Sequence, residues 1–196
     1  MIKRYKIKKF RRINGGFTLV ETLVAVSIFS VSVVNLMVVL GGGISNTNYA
    51  KQKMVSSYLA QEGIEYVRNL RDTYVLYDGS GAQNGWSQFM SKLTGASCQL
   101  SNGCYFDDQG LNFGSNAQPM TAITMAACGS SCPALRYDSS TIKYGYASGV
   151  STTYVRKIKI TSISADETKV FSTVSWSTAS SSFSITFSES VFNWAE

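Results

Sequence analysis

Glu21 is the residue whose chemistry most needs an explanation. From Phe17 to Leu40 the chain runs 24 residues with that one charge, and the next charged residue is Lys51. A carboxylate inside hydrocarbon costs on the order of 2–4 kcal/mol, so such a residue is partnered or functional. Just ahead of it stands Gly15-Gly16-Phe17-Thr18-Leu19-Val20. A glycine there serves as a turn residue, or as a residue slim enough to lie in a protease cleft. Elsewhere the chemical inventory is thin. The chain has no His, hence no imidazole base and no triad. It has no G-x-x-x-x-G-K-[ST], no G-x-S-x-G and no H-E-x-x-H. Asp107-Asp108 pairs two carboxylates, too few for a Ca²⁺ ligand set. A solvated turn suits them better. No catalytic residue, metal site or cofactor is expected.

An element must position Glu21, and the apolar run supplies it. As a helix the run is roughly 36 Å long, against about 30 Å of bilayer hydrocarbon. Lys3, Arg4, Lys6, Lys8, Lys9, Arg11 and Arg12 precede it with no acid before Glu21. They hold that flank in the cytoplasm and place the chain from about Lys51 on the other side of the membrane. A removable secretory signal is a rival, with Leu40-Gly41-Gly42-Gly43 as a loose cleavage site. Its apolar core is normally shorter and needs no Glu. A plain single-pass anchor explains length and orientation but leaves Glu21 an unexplained cost.

Gly followed by Phe-Thr-Leu-x-Glu, after a Lys/Arg leader and before an apolar run, resembles the type IV prepilin processing site. The resemblance implies a membrane peptidase that cuts between Gly16 and Phe17 and N-methylates Phe17. Glu21 matches the family's Glu, fifth in the mature chain. The spacing then makes chemical sense. The new α-amine, with an ordinary pKa of about 7.7–8.0, is largely cationic, and methylation keeps the charge. Glu21 of one subunit meets the Phe17 amine of a neighbour in a filament, and two charges costly alone become a pair. Such a pair sets axial register. The family often carries a Pro near the middle of this helix. This chain has none there, which suits a minor pilin or pseudopilin.

Seven of the 18 Lys and Arg lie in residues 1–16, leaving 11 cations against 12 acids. The basic balance belongs to the leader, and the body shows no global footprint for nucleic acid. Arg156, Lys157 and Lys159 form a local cluster, read as lysines that protect an exposed strand edge. Gly41-Gly42-Gly43 weakens helix by roughly 1 kcal/mol per Gly, so one long broken helix is expected over 17–72. Leu59, Gly63, Tyr66, Val67 and Leu70 make one apolar stripe. Glu65 and Arg68 are three apart, a surface pair worth tenths of a kcal/mol. The run from Leu59 to Asp72 also resembles the helix end of bacterial minor pilins, as does the close Val191-Phe192-Asn193-Trp194, with Trp194 a core plug.

Residues 73–150 read as a variable region with turn signals at Asp78-Gly79, Asn84-Gly85 and Asn102-Gly103 and short strands or a short helix near Trp86–Leu93. Cys98, Cys104, Cys128 and Cys132 lie beyond the membrane segment, where thiols oxidise. Three connectivities are open. Cys98–Cys104 and Cys128–Cys132 are favoured because each closes a short loop. The spacings fit a Cys₄ zinc site poorly. Thr153–Ser164, Lys169–Ser177 and Ser182–Phe187 carry strand signals. Val170, Val174 and Trp176 alternate on one face, and Phe183, Ile185 and Phe187 do likewise. Ala165–Thr168 and Ser177–Ser181 connect them.

The expected fold is therefore α+β, a long N-terminal helix packed on a C-terminal antiparallel β-sheet. Its parts are a cleaved basic leader (1–16), a membrane or filament-core helix (17–43), an amphipathic second half (44–72), a disulfide-bearing variable region (73–150) and the sheet (151–196). The expected role is a structural subunit, a minor pilin or pseudopilin of a type IV pilus or related secretion machine. Its partners are the prepilin peptidase/N-methyltransferase, other pilin subunits and the inner membrane, which it crosses once with a cytoplasmic N-terminus before reaching an extracellular filament. Nucleic acid or a surface ligand for the variable loops stays open. The alternative is a single-pass, membrane-anchored extracellular ligand-binding protein that does not assemble. A secreted enzyme ranks last.

Overall fold

Thr18 starts the first helix, whose two stretches dispose of their side chains in different ways. The computed structural model describes residues 15–77, 82–107, 124–178 and 181–193. The chain divides into two units, Met1–Asn48 and Tyr49–Glu196. Helix α1 (Leu19–Tyr77) contributes to both.

In the first unit α1 is apolar all round, with Val20, Leu23, Phe29, Val34, Met37 and Leu40 all exposed. A helix of that kind belongs in a membrane or a bundle, and its length and composition suffice to cross a bilayer. Several of its hydroxyls bond back to the helix. Ser27, Ser30 and Ser32 donate to the carbonyls of Leu23, Val26 and Ile28 at 2.7, 2.8 and 2.8 Å. A hydroxyl bonded in this way is not left bare in apolar surroundings. The break expected at Gly41–Gly43 is absent, since α1 runs through it. A break would orphan backbone groups on both sides, and continuing an existing helix is cheaper than starting another. Thr47 donates to the Gly43 carbonyl at 2.9 Å and helps close that turn.

In the second unit, the α1 stretch from Tyr49 onward and α2 (Ala82–Gly95) pack on one face of a seven-stranded antiparallel sheet. The strands are β1 (Cys104–Asp107), β2 (Thr124–Ala127), β3 (Ala134–Asp138), β4 (Lys143–Gly145), β5 (Val150–Ser162), β6 (Glu167–Ser177) and β7 (Ser182–Phe192). β5–β6–β7 is the meander that the β-branched runs predict. The other edge of β5 is extended by β3–β4 and by β1–β2. β5 is therefore central, not the exposed edge expected around Arg156.

The stripe on α1 is the core face: Leu59, Val67 and Leu70 are buried. At Gly63 a Cβ would overlap Ser172 Oγ and crowd Ile158, so glycine sets how closely α1 approaches β5 and β6. Val170, Val174 and Trp176 are buried beneath the helix. Asn84-Gly85, read as a turn, lies inside α2. Gly85 is there for close approach, because a Cβ would meet the backbone of Tyr74 and Val75. Trp86 Nε1 donates to the Ala165 carbonyl at 2.8 Å, tying α2 to the β5–β6 connection. Asp78-Gly79, Asp108 and Trp194 lie outside the described residues.

Candidate functional site

Gly15 to Thr18 are non-helical, and α1 begins at Leu19. Thr18 is the helix cap: its Oγ1 accepts the Glu21 N–H at 3.3 Å, and its carbonyl accepts the Thr22 N–H at 3.1 Å. Thr18-Leu19-Val20-Glu21 is thus a capping-box sequence, with Glu21 in the first helical turn. A carboxylate in that turn faces the positive end of the helix dipole. The Gly16–Phe17 peptide precedes the cap and lies outside the helical hydrogen-bond ladder. Nothing lies within 4 Å of where a Gly16 Cβ would sit, and Phe17 is 78% exposed. This is a peptide bond a protease can take without unwinding helix. An amine created at Phe17 would oppose the dipole, and Glu21 offsets both.

The four cysteines are joined as Cys98–Cys104 and Cys128–Cys132. The first ties the turn after α2 to β1, and the second ties the end of β2 to the approach to β3. The two loops fasten to each other: Cys128 N donates to the Gly103 carbonyl at 3.0 Å and Asn102 Nδ2 to the Gly129 carbonyl at 2.7 Å. Gly103 sits at φ 67°, with the Ile158 carbonyl where a Cβ would go. Asn102-Gly103 is thus a turn that requires glycine.

Arg156 corrects the surface-cluster reading. Only 1% exposed, it faces the core from the middle of β5. Its Nη1 donates to Glu62 Oε2 at 2.7 Å, and the guanidinium lies 4.0 Å from the Phe106 ring centroid. Phe106 in turn stacks on Tyr66 at 3.6 Å. The period-2 spacing from Arg156 to Ile158 and Ile160 carried this placement, because all three share a strand face. Arg68 also does more than pair locally. It meets Glu65 at 2.7 Å and reaches Glu189 on β7 at 2.6 Å, and its pKa is raised mainly by the hydrogen bond to Glu189. Both arginines clamp α1 to the sheet.

No described cluster of His, Cys, Asp or Glu has a metal-site arrangement. Asp138 accepts hydrogen bonds from the Ser140 and Ser148 hydroxyls at 2.6 and 2.8 Å. These hold its carboxyl at a pKa of about 2, which is turn chemistry on an exposed group. A cleft of about 440 Å³ between α1 and the β3–β4 connection is lined by Val55, Tyr58, Leu59, Ile142 and Tyr144. Its one carboxylate, Glu62, is engaged by Arg156.

The family model for the prokaryotic N-terminal methylation motif matches residues 11–34, which span the Gly16–Phe17 junction, the Thr18 cap and Glu21. No curated protein and no solved structure matches the chain.

Proposed function

From a chain that carries this methylation motif on a long apolar helix, and so fits a type IV pilin-like protein processed by prepilin peptidase, we propose a structural subunit, a minor pilin or pseudopilin. It waits in the inner membrane with its N-terminus in the cytoplasm and passes into a filament. The peptidase cuts between Gly16 and Phe17 and methylates Phe17. Glu21 then pairs with the Phe17 amine of a neighbouring subunit. The observation that carries this is the Thr18 cap, which starts the helix just past the scissile bond and just before the lone carboxylate.

Assembly is a matter of matching charges. Each apolar helix brings one amine and one carboxylate about a turn apart, so a stagger that pairs them between subunits leaves neither bare in a low-dielectric core. The absence of a mid-helix Pro favours the minor-pilin or pseudopilin class. The test compares incorporation of Glu21→Ala and wild-type subunits into sheared filaments at equal membrane levels. Strong loss of incorporation with normal leader removal is expected. Incorporation at the wild-type level refutes the register role.

A further inference from the structure

We propose that the outer face of β5–β6–β7 binds single-stranded nucleic acid. Both helices pack on the opposite face, as the core lining shows. On the outer face the register sets Lys157 opposite Thr173, Lys159 opposite Phe171, and Thr161 opposite Lys169. Three lysines therefore stand at neighbouring positions around one partly buried aromatic ring. Lys169 Nζ lies 5.6 Å from the Phe171 centroid. Lys157 and Lys159 are about 7 Å apart along their strand. The rows continue onto β7 with hydroxyls, Thr173 opposite Thr186 and Phe171 opposite Ser188. Among the described residues no carboxylate pairs with any of the three lysines. Glu167, at the far end of β6, is the one acid of these three strands on this face, since Glu189 is turned toward Arg68.

That combination names its ligand class. Lysines neutralise phosphates, hydroxyls donate to phosphate oxygens and base edges, and an aromatic ring on an open sheet stacks an unpaired base. A duplex offers no free base face to Phe171. A bilayer surface would call for apolar side chains clustered for insertion, and the second ring of this face, Phe192, stands at its far end opposite Glu167, away from the lysines around Phe171. Arg156 is not part of the site, because its guanidinium lies in the core. The inference is independent of filament assembly.

The test is fluorescence anisotropy of a labelled oligothymidylate with the full chain in detergent micelles, titrated over salt. The comparison is between wild type and the triple variant Lys157→Gln, Lys159→Gln, Lys169→Gln, so the basic leader contributes equally to both. Three phosphate contacts make the wild-type slope of log K against log salt steeper by about 2. Phe171→Leu weakens binding about fivefold or more at unchanged slope, from one lost stacked base, and Phe171→Tyr keeps it. Equal slopes for wild type and triple variant would assign the binding to the leader and overturn the proposal. It is also overturned if Phe171→Leu binds like wild type while the lysine variant loses phosphatidylglycerol vesicles and oligonucleotide alike. That pattern marks a general polyanion patch. Unchanged unfolding midpoints show that each variant is folded.

Discussion

Removing Glu62 should harm the protein more than removing Arg156, although the two are partners in one ion pair. Glu62→Met leaves a guanidinium that is 1% exposed without its carboxylate, whereas Arg156→Met leaves a carboxylate whose side chain is 37% exposed and can rehydrate. A stranded buried charge costs about 3–5 kcal/mol. At 2–4 °C per kcal/mol for a domain this size, Glu62→Met lowers the unfolding midpoint by roughly 6–20 °C. Arg156→Met fills the same space with apolar atoms against Phe106. It loses the charge-assisted hydrogen bond to Glu62 and the longer one to the Leu59 carbonyl, about 1.5–3 kcal/mol. The double variant should resemble Arg156→Met alone, because no charge is then left buried, so the cycle is strongly non-additive. Near-ultraviolet circular dichroism of the full chain in micelles reports the midpoint. If Arg156→Met costs as much as Glu62→Met, the difference in burial between the two partners does not control the energetics.

Other consequences come from the same packing. Gly63→Ala should cost about 1–3 kcal/mol by overpacking, since its methyl overlaps Ser172 Oγ; a denaturation midpoint equal to wild type would show that the helix can simply lift. Replacing either cysteine pair by alanines should lower stability by about 2 kcal/mol, as expected for closed loops this short, measured by urea unfolding under non-reducing conditions. The Asp138 carboxyl should titrate at about 2 by NMR, and Ser148→Ala should move it up toward the ordinary value. Its folded pKa lies below the unfolded one. Its contribution to stability is therefore present above about pH 4 and is lost as pH falls toward 2.

The helix stripe and the three long strands are legible in the sequence because each is a periodic pattern set by one buried face. Val170, Val174 and Trp176 at period two, and Leu59, Val67 and Leu70 at helical spacing, need no tertiary knowledge. The glycines are harder. Gly85 looks like a turn because its actual constraint, the backbone of Tyr74 and Val75, lies on another helix. Gly41–Gly43 look like a break because propensity counts residues one at a time, whereas the helix is cooperative. Arg156 looks like a surface residue because charge outweighs strand parity in a composition-level reading. The lysine face is visible only once the register brings Lys169 beside Lys159. At the N-terminus, the helix expected from Phe17 starts at Leu19, because Thr18 takes the cap, a local Thr-x-x-Glu signal that the apolar run overshadows.

The central claim rests on what happens to the peptide bond ahead of that cap. Intact mass and N-terminal fragment spectra of the protein from its own cells test it directly. The account predicts a chain that begins at Phe17 and carries one added methyl group on its α-amine. A chain still beginning at Met1 would contradict it, because Glu21 would then have no new amine to meet.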